Sequence, residues 1–208
     1  MPLTKMEAHL AVSKGNVDMV STLLSFDHCD VNRKGQLDRT ALHVACEFGH
    51  VACIHELMAC GAQIEAKDSC DKATPLHLAA DFNHPDVVKI LVDEYGASIN
   101  VTDDDGLTAL HRAALSGNPG VVRVLASNPQ CDVMIRDSDG DTAADVARRR
   151  RHHVIVALLE DKSKGKLNKS NFWLNHLTCL STKHLTSRVD VSSRAFKTVI
   201  ERASCIRR

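Results

Sequence analysis

Four residues, Thr40-Ala41-Leu42-His43, return as Thr74-Pro75-Leu76-His77, as Thr108-Ala109-Leu110-His111 and, eroded, as Thr142-Ala143-Ala144-Asp145, each 34 residues after the last. A period of that length confines the chain to a stack of like units, each covering the apolar face of its neighbour. It also argues against an enzyme. The register extends to Gly15-Asn16, Gly49-His50, Asn83-His84, Gly117-Asn118 and Arg151-His152, and to the apolar pairs Leu23-Leu24, Leu57-Met58, Leu91-Val92 and Leu125-Ala126. Within a unit the pattern predicts a short helix from the Thr, a turn at the Gly-Asn or Gly-His pair, and a second helix such as Asp86-Val87-Val88-Lys89-Ile90-Leu91. A polar stretch, for example Thr102-Asp103-Asp104-Asp105-Gly106, then reads as a tight turn.

In these recurring Thr, His, Gly and apolar positions the chain resembles the ankyrin repeat family over about three quarters of its length. The resemblance implies an all-α repeat solenoid of antiparallel helix pairs joined by β-hairpin fingers, in five units over residues 1–165, with a basic tail over 166–208. The first and fifth units read as caps. Met6-Glu7-Ala8-His9 lacks the inner Thr and Leu, and the fifth unit has Asp145 for the motif His and Arg148 for a small residue. A terminal repeat has one face without a neighbour, so polar residues there keep the end soluble. The period is one longer than the family's usual unit. The extra residue is expected after the second helix in Phe26-Asp27-His28-Cys29, Asp93-Glu94-Tyr95-Gly96 and Ser127-Asn128-Pro129-Gln130, and in Asp68-Ser69-Cys70-Asp71 for the second unit.

With 44% hydrophobic but only 3% aromatic residues, the core must consist of aliphatic side chains between closely stacked helices. No window reaches 18 uninterrupted apolar residues, and Met1-Pro2-Leu3-Thr4-Lys5 runs straight into the first repeat, so no membrane insertion and a cytoplasmic or nuclear location are expected. The eight cysteines form no C-x-x-C pair, which leaves out the strong zinc signature. Cys46 and Cys53 fall at apolar repeat positions and read as reduced core residues, while Cys70 sits in a finger tip.

His43, His77 and His111 share one repeat position. Stacked helices would hold them about 10 Å apart, too far to share a metal with ligand distances of about 2.0–2.1 Å. The resemblance implies that each bonds nearby backbone and fixes the turn before its helix. Asp137-Ser138-Asp139-Gly140-Asp141 imitates a calcium loop, but Thr142 stands where Gly is needed and Arg148 where a bidentate Glu is needed. It reads as a finger turn. No phosphate-cradling loop, H-E-x-x-H or G-x-S-x-G occurs, so neither cofactor, metal nor catalytic residue is assigned.

The resemblance directs attention to the concave face formed by fingers and first helices. There Glu47-Phe48 and Asp81-Phe82 place two of only five phenylalanines at equivalent positions. Phe48 and Phe82 are the expected anchors for a protein partner, with Glu47, Asp81, Arg112, Asp104 and Asp105 setting charge specificity. A monomer acting as adaptor, scaffold or inhibitor is the expected role. Charge is split: residues 1–160 carry 15 Lys plus Arg against 23 Asp plus Glu, and 161–208 carry 11 against 3. The Arg148–Arg151 run and the basic tail therefore support an alternative, nucleic-acid or anionic-surface binding, although the run also fits a solvated capping helix. Amphipathic spacing of Trp173, Leu177 and Leu180, and of Phe196, Val199 or Ile200, Ala203 and Ile206, suggests two short tail helices. A further alternative is a substrate-recruiting subunit of a ubiquitin ligase, for which Leu177-Thr178-Cys179 is a poor match.

Overall fold

Short helices recur in pairs through a computed structural model that describes residues 7–25 and 30–163. The expected tail helices over 173–180 and 196–206, the basic tail over 166–208, the lengthened loop at 26–29 and Cys29, Cys179 and Cys205 lie outside the described residues. The first helices of the five units are α1 (Glu7–Ser13), α3 (Ala41–Phe48), α5 (Pro75–Asp81), α7 (Ala109–Ser116) and α9 (Ala143–Arg149); the second helices are α2 (Val17–Leu24), α4 (Val51–Ala59), α6 (Pro85–Asp93), α8 (Pro119–Ser127) and α10 (His153–Ser163). At 7–11 residues, none would be stable alone, and tertiary packing must supply what length does not. First helices stack on first helices along the chain. They come close because Ala41, Ala45, Ala79, Ala80, Ala113, Ala114, Ala143 and Ala147 are buried at the seams. Second helices meet at α2–α4, α6–α8 and α8–α10, while α4 and α6 approach less fully; there His55 Nδ1 and the Tyr95 hydroxyl lie 2.6 Å apart.

Each inner unit begins on a Thr–His cap that also ties it to the next unit. The Thr40 N–H donates to His43 Nδ1 at 3.1 Å, and the Thr74 and Thr108 N–H groups donate likewise to His77 and His111 at 3.2 and 3.3 Å. With Nδ1 accepting, Nε2 carries the proton. It donates onward to the carbonyl of Ala73, Leu107 or Asp141 at 3.2, 3.0 or 3.3 Å, thirty residues ahead in each case. His9 Nε2 makes the same reach to the Arg39 carbonyl at 3.0 Å. The expected bond to local backbone is therefore present, and a second, to the following repeat, accompanies it. In the fifth unit the carboxylate of Asp145 accepts from the Thr142 N–H at 3.1 Å and hydroxyl at 2.7 Å. A carboxylate completes the cap but has no proton to pass forward.

A second set of contacts runs backward. His50 Nε2 donates to the Ser13 carbonyl at 3.2 Å and His84 Nε2 to that of Glu47 at 2.8 Å, whereas the shorter Asn118 side chain donates to Ala80 and Asp81, both at 2.9 Å. These histidines explain the glycines. A Cβ on Gly15, Gly49 or Gly117 would come within 2.9, 2.5 or 2.6 Å of the ring of His50, His84 or His152. Where the later residue is Asn118, the place of the glycine is taken by Asn83, also left-handed at φ 62°. Gly49→Ala, at φ 74°, is accordingly expected to lose about 2 kcal/mol or more, combining left-handed strain with overpacking. Converting the pair to Gly49→Asn with His84→Asn should recover much of that in urea denaturation; a double variant no more stable than Gly49→Asn alone would refute the coupling.

The expected β-hairpin fingers do not appear as strands among the described residues, which hold an isolated antiparallel bridge, between Arg136 and Thr142. Each finger closes on a backbone bond, such as Asp103 N–H to Leu107 O at 3.0 Å and Asp137 N–H to Asp141 O at 2.9 Å, and side-chain chemistry braces the turn. Asp103 Oδ1 accepts the N–H groups of Asp105 and Leu107 at 3.0 and 2.8 Å, while Asp137 Oδ1 takes those of Asp139 and Asp141 at 3.0 and 2.9 Å. Asp68 Oδ1 holds Asp71 and Ala73 in the same way. The calcium-like run is thus the folded finger turn its phase implied. Single backbone bonds link successive tips, from Ser69 N–H to Leu37 O, Asp104 N–H to Asp71 O and Ser138 N–H to Asp105 O. Two of the extra residues fall where expected: the finger before Thr74 closes from Asp68 N–H to Ala73 O, one residue longer than Asp103 to Leu107, and the loop after α6 closes from Ala97 N–H to Leu91 O against Ala62 to Leu57 after α4. Cys46 and Cys53 are buried and free, and burial pushes both thiols up from their ordinary range.

Candidate functional site

Arginine contacts tie fingers to first helices at Arg39–Glu47, Arg112–Asp103 and Arg149–Asp141. Phe48 closes α3 and Phe82 caps α5, and they are 51% and 49% exposed. The Phe48 ring lies nearly parallel to His50, with centroids 6.1 Å apart. Neither phenylalanine is drawn into the core between repeats. Leu37, in the finger before Thr40, adds another exposed apolar side chain and has a left-handed backbone at φ 56°. Sequence reasoning passed over it; its signal was an apolar residue inside a charged finger.

The charged residues around these rings have distinct positions. Arg112 occupies the α7 place that Val44 and Leu78 hold in earlier units, and its side chain is only 12% exposed. Its Nε donates to Asp103 at 2.9 Å, its Nη2 also reaches Asp71, and its Nη1 stands 3.8 Å from Asp81. Three carboxylates from two fingers and one helix thus converge on one guanidinium. Although burial opposes the charge, the hydrogen bonds that Arg112 donates to Asp71 and Asp103 hold its pKa above its ordinary value. Asp81 also accepts from the Ser116 hydroxyl. Arg112 is thus the group that fixes three acids in place.

A second knot lies one repeat earlier. Arg39 Nη1 donates to Glu47 at 2.9 Å, and its Nε to the fully buried carboxylate of Asp68 at 3.4 Å. Glu47 is thus held beside Phe48 by a residue that motif searching did not single out. Its signal was a lone arginine directly before the motif Thr. Asp104 and Asp105 differ from both knots. They are exposed at the finger tip, where their backbones bond the neighbouring fingers and their carboxylates have no hydrogen-bond or ion-pair partner among the described residues.

At the far end of the stack the arginine run is partly committed. Arg148 donates to Asp145 at 2.6 Å and lies 3.4 Å from Glu160, while Arg149 lies 2.5 Å from Asp141. Arg150 and Arg151 are exposed beyond the end of α9. Among the described residues no group of three or more His, Cys, Asp or Glu is arranged to hold a metal ion, and no helix is long and apolar enough to cross a membrane. Residues 8–103 and 76–171 match the family model described as ankyrin repeats (3 copies).

Proposed function

The chain belongs to the ankyrin repeat family, a class of repeats that generally mediates protein–protein contact, and we propose that it recognises a protein partner on the concave face made by its fingers and first helices. The single observation carrying this reading is the pair Phe48 and Phe82, half exposed at equivalent places in adjacent repeats. Exposed aromatic side chains set among polar groups are the usual anchors of an interface. The two arginine knots support the same reading by another route. They tie fingers to first helices before any partner arrives, so little ordering cost remains for the binding step. The mechanism is binding alone, in the manner of an adaptor, scaffold or inhibitor.

Affinity capture with the full chain and with a Phe48→Ala/Phe82→Ala variant tests this reading. Both rings lie outside the core, so the variant should retain its helical circular dichroism and lose captured proteins by tenfold or more. Undiminished capture by a folded variant would overturn it. The competing anionic-surface reading is weakened by the carboxylates already facing Arg148 and Arg149, and it predicts capture that vanishes with salt whether or not the phenylalanines are present.

A further inference from the structure

We propose that the partner segment seated on Phe48 and Phe82 is cationic, a peptide stretch carrying Lys or Arg beside apolar side chains. This rests on the concave-face reading and adds the chemistry of the occupant. The apolar part of the argument is the two exposed rings. The charge part comes from what surrounds them. Glu47 directly precedes Phe48 and Asp81 directly precedes Phe82, so each ring is adjacent in the chain to an acid; Arg39 pairs with Glu47 but is shared with Asp68, one positive charge for two negative ones. Arg112 draws Asp71, Asp81 and Asp103 together but supplies one positive charge to three negative ones. The next finger contributes Asp104 and Asp105, exposed and without a countercharge among the described residues.

Two lysines of the finger before Thr74 lie near this cluster, Lys72 next to Asp71 in the chain and Lys67, whose Nζ donates to the Thr102 carbonyl at 3.2 Å; with Arg112 they set three positive charges against Asp71, Asp81, Asp103, Asp104 and Asp105 and leave the excess negative. A neutral or acidic segment docking on the phenylalanines would meet these carboxylates with no compensation. A segment with guanidinium or ammonium groups would pair with Asp104 and Asp105 at the rim while its apolar side chains cover the rings. The acids in the Arg112 knot are already held in position, and a cation there would add to an existing lattice of charge-assisted bonds.

The test selects from a phage-displayed library of random 12-residue peptides on the immobilised full chain, then measures enriched peptides by fluorescence anisotropy at low and moderate salt. The enriched pool should carry net positive charge. Its leading peptide should bind about tenfold or more weakly to Asp104→Asn/Asp105→Asn and to Phe48→Ala/Phe82→Ala, and hardly differently to Asp18→Asn/Asp86→Asn, which neutralises two exposed acids on second helices. Circular dichroism checks that each variant is folded. A neutral or acidic pool that still requires the phenylalanines would overturn the cationic occupant and leave the concave-face reading standing. Equal losses on neutralising either pair of acids would reduce the effect to general charge attraction and also overturn the proposal. Binding indifferent to both phenylalanines would sink the proposal and the reading beneath it.

Discussion

Arg112→Ala is expected to destabilise the stack by about 3–5 kcal/mol, the range for removing one partner from a buried ion pair. The guanidinium is the hydrogen-bonding cation of Asp103, whose side chain is completely shielded from solvent, and it also holds Asp71. Its loss leaves carboxylates from neighbouring fingers close together without compensation. Asp103 retains the N–H groups of Asp105 and Leu107, which limits the damage without cancelling it. Arg112→Ala combined with Asp71→Asn and Asp103→Asn should recover part of the loss, because amides bear no uncompensated charge. Urea denaturation followed by circular dichroism measures both changes; an Arg112→Ala chain as stable as the parent would show that the knot contributes nothing net.

Mild acid should destabilise the protein well before ordinary carboxylates titrate. Burial lowers the pKa values of His43, His77 and His111 below the unfolded value of about 6.5. Backbone acceptors and nearby Asp68, Asp103 and Asp137 oppose the shifts without reversing them, and Arg39 and Arg112 reinforce those of His43 and His77. The local cause is visible in the cap: Nδ1 accepts the Thr N–H, and a proton placed there would turn an acceptor toward a donor. Below pH 6.5 the unfolded chain therefore binds more protons than the folded one, so stability falls as pH falls and is fully present above that value. Each imidazole contributes at most about 1.4 kcal/mol per pH unit, or about 4 kcal/mol for the three together. Denaturation midpoints at pH 7.5, 6.5 and 5.5 should decrease in that order, and a folded variant with His111 replaced by Asn should show a shallower dependence. A flat profile over this range would contradict the role given to the buried rings.

The sequence disclosed the repeat fold because its decisive interactions recur. Thr-x-x-His at a constant period revealed the caps, alanines and valines marked the packed sides, and the longer loop at Asp93–Gly96 could be located by counting. The forward bond from each motif His was not legible, since its acceptor is a backbone carbonyl and the same at every residue type. The bracing of the fingers was hidden for a similar reason: Asp68, Asp103 and Asp137 looked like turn composition, and only their oxygen positions reveal that they hold the N–H groups of a turn closed by backbone bonds. At the candidate site Phe48 and Phe82 could be chosen by phase, and Arg112 as a charge but not with its partners. Its place among otherwise apolar α7-equivalent positions signalled inward direction, while the distances to three acids required coordinates.

The pairing of Gly15, Gly49 and Gly117 with histidines, and of Asn83 with Asn118, also restricts how this gene can gain or lose a unit. Excising the third unit would set Gly49 against Asn118, a small residue facing a side chain that needs little room. Excising the fourth would bring Asn83 against His152, with a β-carbon where the imidazole must lie. Duplication follows the same grammar: a copied fourth unit presents Gly117 to a new Asn118, whereas a copied third presents Asn83 to a new His84. Modules that look interchangeable at the level of helices therefore have mating ends, and only some rearrangements join without a compensating change.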